Sequence, residues 1–170
     1  IGNNAVLIGN LPYYISTDIM RRLLPERFWS RMVLTFQKEM AERLTAKPSE
    51  KNPKLHGYLS VVARYFSRPE IKFFIPPDAF WPKPKVTSAV VLFEKSNRHF
   101  PEAEKEELFL KIVRQAFANR RKTVLNNLSL LFDKTPMERV LTSLQISPNE
   151  RAEKIPVEDF LKMTDAFFGS

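Results

Sequence analysis

At 170 residues the chain is long enough for one domain with a real core, or for one domain and part of another. Its 44% hydrophobic and 12% aromatic content excludes a disordered or collagen-like polymer, and its net charge of +8 favours a polyanionic partner. The absence of cysteine excludes disulfides and thiolate metal sites. No apolar run approaches the ~20 residues needed to span a membrane, and no secretory leader is visible, so a cytoplasmic location is expected.

Residues 5–9 read as a buried strand, with Asn10-Leu11-Pro12-Tyr13 at its C-terminal end, where open α/β sheets place their sites. Ser16 or Thr17 can cap a helix whose apolar face is Ile19, Met20, Leu23 and Leu24. Residues 32–36 read as a second strand, apolar on both faces as central parallel strands are, and residues 38–46 as a short helix. Arg43 and Lys47 lead into a loop of prolines and lysines over 47–54, either simply solvated or in contact with phosphates. His56 and His99 lie in polar, loop-like surroundings and are expected to be solvated. Leu59, Val62, Ala63 and Phe66 recur at helical spacing. Residues 71–75 and 86–94 read as strands that pair antiparallel at a sheet edge. Pro76, Pro77, Pro82 and Pro84 keep the connection between them rigid and extended.

Composition changes at residues 96–101, and the remainder reads as helical. Leu108, Ile112, Val113, Ala116 and Phe117 make one apolar stripe, and Val124, Leu125, Leu128, Leu131 and Phe132 make the next. Between them Asn119-Arg120-Arg121-Lys122 is the strongest electrostatic feature. A charge run is commonly a solvated face; at a helix junction its amides and side chains can also grip a nucleic-acid backbone. Thr135-Pro136-Met137-Glu138 has the pattern of a capping box, repeated at Ser147-Pro148-Asn149-Glu150. Pro156 opens a last helix with Val157, Phe160, Leu161, Thr164, Phe167 and Phe168 inward.

The residue types of Asn10-Leu11-Pro12-Tyr13 suit one task. An Asn side chain and the Leu11 carbonyl can both accept hydrogen bonds from a single exocyclic amino group. An aromatic amine is a poor nucleophile because its lone pair is delocalised into the ring. Two fixed acceptors favour a more tetrahedral nitrogen, and their dipoles stabilise the charge that develops there. Pro12 stiffens the turn, and Tyr13 offers an aromatic face to a flat base.

This stretch resembles the Asn-Leu-Pro-Tyr motif of adenine-N6 methyltransferases. Gln37-Lys38-Glu39-Met40-Ala41-Glu42-Arg43-Leu44 follows in order. So do Pro77-Asp78-Ala79-Phe80-Trp81-Pro82-Lys83-Pro84-Lys85-Val86-Thr87-Ser88-Ala89-Val90-Val91 and Phe117-Ala118-Asn119-Arg120-Arg121-Lys122-Thr123. Together they resemble the ribosomal RNA adenine dimethyltransferase family that acts on the small subunit, over nearly the whole chain. The resemblance implies an α/β fold: the C-terminal part of a Rossmann-like methyltransferase sheet over residues 1–95, then a small all-helical RNA-docking domain over 96–170. It implies S-adenosylmethionine as methyl donor, with Asn10 beside it, and N6-dimethylation of two adjacent adenines in small-subunit ribosomal RNA during ribosome biogenesis. The donor's Gly-rich turn has no counterpart among the four glycines, so the chain is expected to be a C-terminal portion, inactive alone, whose open sheet edge can associate or swap.

The resemblance also implies that Asn10, Leu11, Pro12 and Tyr13 do the chemistry. Phe80 would clamp the extruded base opposite Tyr13; the competing reading of an aromatic among prolines is a packed turn. Trp81 is expected to be structural or at the rim. The expected RNA contacts are Arg43, Lys47, Lys83, Lys85, Arg114, Arg120, Arg121 and Lys122. Two alternatives stand beside this reading: a resistance-type methyltransferase acting on large-subunit RNA, and a non-catalytic RNA-binding assembly or transcription factor on the same fold.

Overall fold

The computed structural model describes residues 4–49, 52–97 and 100–168. These divide into two units, one of residues 4–46 and 63–97, the other of 47–49, 52–62 and 100–168. His99, with the middle of the 47–54 loop, lies outside the described residues.

In the first unit β1 (Ala5–Asn10), β2 (Trp29–Gln37), β3 (Ser67–Ile75) and β4 (Ser88–Lys95) form a sheet in the order β1-β2-β4-β3. β1 and β2 are parallel, and β4 runs antiparallel to both its neighbours, so the expected edge hairpin is present. Asn10 pairs with Thr35, Gln37 with Ser88, and Ser88 with Ile75. That register brings the C-terminal ends of β1, β2 and β3 and the start of β4 to one end of the sheet.

One face of this sheet is the core. Met32, Leu34 and Phe36 of β2 and Ala89, Val91 and Phe93 of β4 are all buried, with the Phe36 and Phe93 rings edge to face at 6.1 Å. α2 (Lys38–Thr45) packs on β2, β3 and β4. Its last carbonyls, Thr45 O and Ala46 O, accept hydrogen bonds from Arg64 of α3 (Tyr58–Phe66), a cation at a helix C-terminus. The end of α1 (Ser16–Leu23) is held in a similar way. Trp29 Nε1 donates to Leu23 O at 2.7 Å, and Lys95 Nζ lies 3.9 Å over the Trp29 ring while donating to Leu24 O and Glu26 O.

The other face corrects two expectations. β1 is not fully buried: it alternates, with Val6 57% and Ile8 81% exposed, because it is an edge strand and turns these side chains to the less covered face. β2 alternates too, with Val33 and Thr35 only half-buried, since it is parallel to one neighbour and antiparallel to the other rather than central in a parallel sheet. α1 is also not capped by Ser16 or Thr17; its cap position is Ile15, and Ser16 Oγ donates back to Tyr13 O at 3.0 Å.

The second unit is helical as expected: α4 (Ala103–Ala116), α5 (Val124–Leu128), α6 (Lys134–Ser143) and α7 (Val157–Phe167). α4 packs on α5 and α7, and α6 on α5 and α7, burying Phe109, Ile112, Val113, Leu128, Leu141, Phe160 and Met163. α5 stops at Leu128, so Leu131 and Phe132 fall in the turn after it, where Phe132 stacks on Phe167 at 4.3 Å. On α7, Leu161 is half-buried and Phe168, just past its end, is 38% exposed rather than inward.

Neither expected capping box forms. α6 starts two residues early, at Lys134 after Asp133, which puts Pro136 inside the first turn without a side-chain cap. Ser147 closes a turn instead, accepting from Asn149 N at 3.3 Å, and leads only to a short 3-10 turn, Ala152–Lys154. The cap that does form is Thr123, whose hydroxyl accepts from Asn126 N at 3.3 Å at the start of α5. His56, expected in solvent, is 1% exposed: its Nδ1 lies 3.0 Å from Glu153 O and its ring meets Phe117 edge-on at 6.0 Å.

Thr123→Ala is therefore expected to cost about 1 kcal/mol of stability, and Thr135→Ala less than ~0.5 kcal/mol. Urea unfolding of both variants checks this; equal losses would contradict the cap assignment.

Candidate functional site

The end of the sheet where the three strand termini gather carries a cleft of about 370 Å³. The β1–α1 loop contributes Asn10, Leu11, Pro12 and Tyr13 to it, and the β3–β4 connection contributes Phe80, Trp81, Pro82 and Pro84. Asn10 is the last residue of β1, and its side chain is exposed. Leu11 N donates to Thr35 O at 3.3 Å, extending the ladder by one bond, and Ile15 N donates to Pro12 O at 3.2 Å, closing the turn that Pro12 stiffens. Among the described residues none hydrogen-bonds the Asn10 side-chain amide, so its oxygen is free to accept from a molecule in the cleft.

Tyr13 is half-buried and its orientation is fixed. Its hydroxyl lies 2.6 Å from Ser88 Oγ, and Ser88, the first residue of β4, is fully buried. Sequence reasoning missed Ser88. The available signal was a small polar residue opening the apolar run Ala89-Val90-Val91, where a buried hydroxyl needs a partner.

The second loop is rigid for reasons other than packing. A 3-10 turn, Pro77–Ala79, is closed by Ala79 N to Pro76 O at 3.1 Å and Phe80 N to Pro77 O at 3.2 Å. Lys83 pairs with Asp78 across it. Phe80 is half-buried, whereas Trp81 is 97% exposed and lines the cleft, which is the rim position of the two expected for it rather than the structural one.

The basic residues separate into three groups. Arg43 lines a smaller polar pocket of about 160 Å³ with Tyr13, Ser16 and Gln37, and pairs with Glu39 at 2.6 Å. Lys83 is taken up by Asp78, and Lys85 is exposed on the same loop. The rest lie in the second unit. Lys47 is exposed, and the Arg114 guanidinium is 6.0 Å from the Tyr58 ring centre. Arg120 Nη2 donates to Lys54 O at 3.0 Å, so the lysine loop and the helix junction meet, a contact the sequence pattern did not suggest. The junction is closed from within. Asn127 Nδ2 donates to Ala116 O at 2.7 Å and Asn119 O at 3.0 Å, leaving Arg121 and Lys122 exposed.

This architecture is that of the α/β methyltransferases. A dimethyladenosine transferase from Plasmodium falciparum superposes with a TM-score of 0.78 at 25% identity, over 96% of this chain and 66% of that one. The 23S rRNA methyltransferase ErmE shares the fold, with a TM-score of 0.73 at 18% identity over 96% and 65%. Residues 1–168 match the family model described as ribosomal RNA adenine dimethylase, and the chain belongs to that family. Proteins named ribosomal RNA small subunit methyltransferase A from Bacillus cytotoxicus and Bacillus mycoides are each 37% identical over 97% of this chain. The chain spans 58% of the length of these relatives.

Because Ser88 Oγ and Tyr13 OH satisfy each other, Ser88→Ala and Tyr13→Phe are expected to be non-additive, with a coupling of about 0.5–1.5 kcal/mol in a double-mutant cycle of unfolding. Strict additivity would mean the bond is absent in solution.

Proposed function

We propose that this chain forms the target-base and RNA-docking part of an enzyme that methylates N6 of adenine in small-subunit ribosomal RNA. In this reading each of two adjacent adenines is dimethylated, in the cytoplasm, during ribosome biogenesis. The observation that carries it is the single cleft shared by Asn10, Leu11, Pro12 and Tyr13 with Phe80. The names of the 37%-identical relatives support the small subunit as substrate. The activity is assigned to the protein at the length of those relatives.

The target base enters between Tyr13 and Phe80. Stacking worth ~1–3 kcal/mol per base offsets the few kcal/mol needed to unstack it. The Asn10 side-chain oxygen and the Leu11 carbonyl accept hydrogen bonds from the N–H groups of the amino group, and this favours a more tetrahedral nitrogen whose lone pair is less delocalised into the ring. S-Adenosylmethionine, when bound, supplies a methyl carbon made electrophilic by a positively charged sulfur. Of the residues present Asn10 fits that group best, exposed at the strand end beside Gly9. Asn10 and Leu11 would hold the amino nitrogen in place and orient its lone pair toward that methyl carbon, which the donor would release to it while keeping the S–C electron pair. The positive charge that arises on nitrogen makes its proton acidic, and it passes to water without a strong side-chain base.

Arg43, Lys47, Lys83, Lys85, Arg114, Arg120, Arg121 and Lys122 are the proposed phosphate contacts, with the helical residues 96–170 docking the ribosomal particle. Residues 1–95 are the catalytic portion. Association through the sheet would run over β1, an edge strand with an apolar face at Val6 and Ile8.

Asn10→Ala in the full-length protein is expected to bind small subunits within about threefold of wild type while methyl transfer falls at least ~10²-fold. Radiolabelled methyl incorporation into small and large subunits, beside a binding assay, checks both the mechanism and the substrate. Wild-type transfer by the variant would refute the mechanism, and transfer to large subunits alone would refute the substrate.

A further inference from the structure

Of the chain's two tryptophans, Trp29 is 1% exposed beneath Lys95, whereas Trp81 is 97% exposed and lines the target-base cleft. A large apolar ring left in water forgoes the burial that ordinarily holds a tryptophan in place. Here it also stands on a loop that cannot collapse to cover it. The loop is bounded by prolines, closed by the Pro77–Ala79 turn and tied by the Lys83–Asp78 pair. A flat ring held out rigidly beside a cleft is pre-organised for a flat ligand.

We infer that Trp81 is a stacking platform for the unpaired nucleobase next to the target adenine, a base subsite separate from the Tyr13–Phe80 clamp. The inference rests on the proposed target-base cleft and deepens it. Three features support a nucleobase as the occupant. Trp81 directly follows Phe80, so a base beside the extruded one is within reach of its ring. Exposed Lys85, four residues on, supplies positive charge for the connecting phosphates. Aromatic stacking is sequence-tolerant, which suits a neighbour that is held but not modified. Tyr14, 86% exposed, is not among the cleft-lining residues, which leaves Trp81 as the free ring of this site.

The test uses the full-length protein and short single-stranded RNAs carrying adjacent adenines, with the fluorescent base 2-aminopurine on either side of the target or at the target itself. Wild type and Trp81→Phe should quench a flanking probe. Trp81→Ala should lose that quenching and bind roughly five- to hundredfold more weakly, with the target-position signal retained. All three proteins should melt at the same temperature, since the ring is exposed. Equal flanking signals in wild type and Trp81→Ala, with an intact target-position signal, would overturn the Trp81 subsite and leave the cleft reading standing. A lower melting point for Trp81→Ala would overturn it too, by showing that the ring packs. A target-position probe that wild type fails to quench, or that Tyr13→Ala quenches as strongly as wild type does, would remove the cleft reading and this inference together.

Discussion

Everything proposed for this protein depends on one backbone register. β1 runs parallel to β2, β2 antiparallel to β4, and Gln37 pairs with Ser88 while Asn10 pairs with Thr35. A slip of one residue along β4 would turn Ser88 to the opposite face. The Tyr13 hydroxyl would then lose a buried partner 75 residues away in sequence. The ladder thus does more than hold the sheet together. It sets the distance between two loops that share no local sequence relationship, one carrying Asn10, Leu11 and the Tyr13 ring and the other the Phe80 and Trp81 rings.

The two loops reach rigidity by different means. The first is a direct extension of β1: Leu11 N still bonds to β2, and the turn at Pro12 closes on Ile15, immediately before the helix starts. The second is tied to the sheet at its β4 end, where Lys38 N donates to Thr87 O at 2.9 Å, and prolines, a 3-10 turn and an ion pair restrict the rest. The proposed base site needs both, since a loop free to move would leave the Phe80 ring unregistered against Tyr13 and the acceptors.

Much of this was legible in the sequence, and the misses share a cause. Helical spacing in residues 58–66 and 103–116 and the apolar runs of β2 and β4 are local signals, and they identified the elements. The Asn-Leu-Pro-Tyr stretch was equally local. Burial was not: the same apolar letters give covered Met32 and exposed Ile8, because cover depends on which neighbours a strand has. His56 was read as solvated, yet it has a partner far along the chain, Glu153, just as Arg120 meets Lys54 across a distance in sequence that no local pattern reveals. The caps failed more finely. Thr135 and Thr123 look alike in sequence, and the two-residue-early start of α6 decides between them.

The junction between α4 and α5 separates two properties that are often tied together. Its shape is set by the uncharged Asn127 amide bonding Ala116 O and Asn119 O, with Gln115 donating to Asn127 O from behind. Its charge is carried outward on Arg121 and Lys122, which contribute little to that framework. Dissolved ions screen exposed charges over roughly 8 Å at physiological ionic strength, but do not weaken buried amide hydrogen bonds in the same way. Rising salt therefore weakens the field that these exposed charges project while leaving the geometry of the junction intact, so the surface keeps one shape over a wide range of ionic conditions.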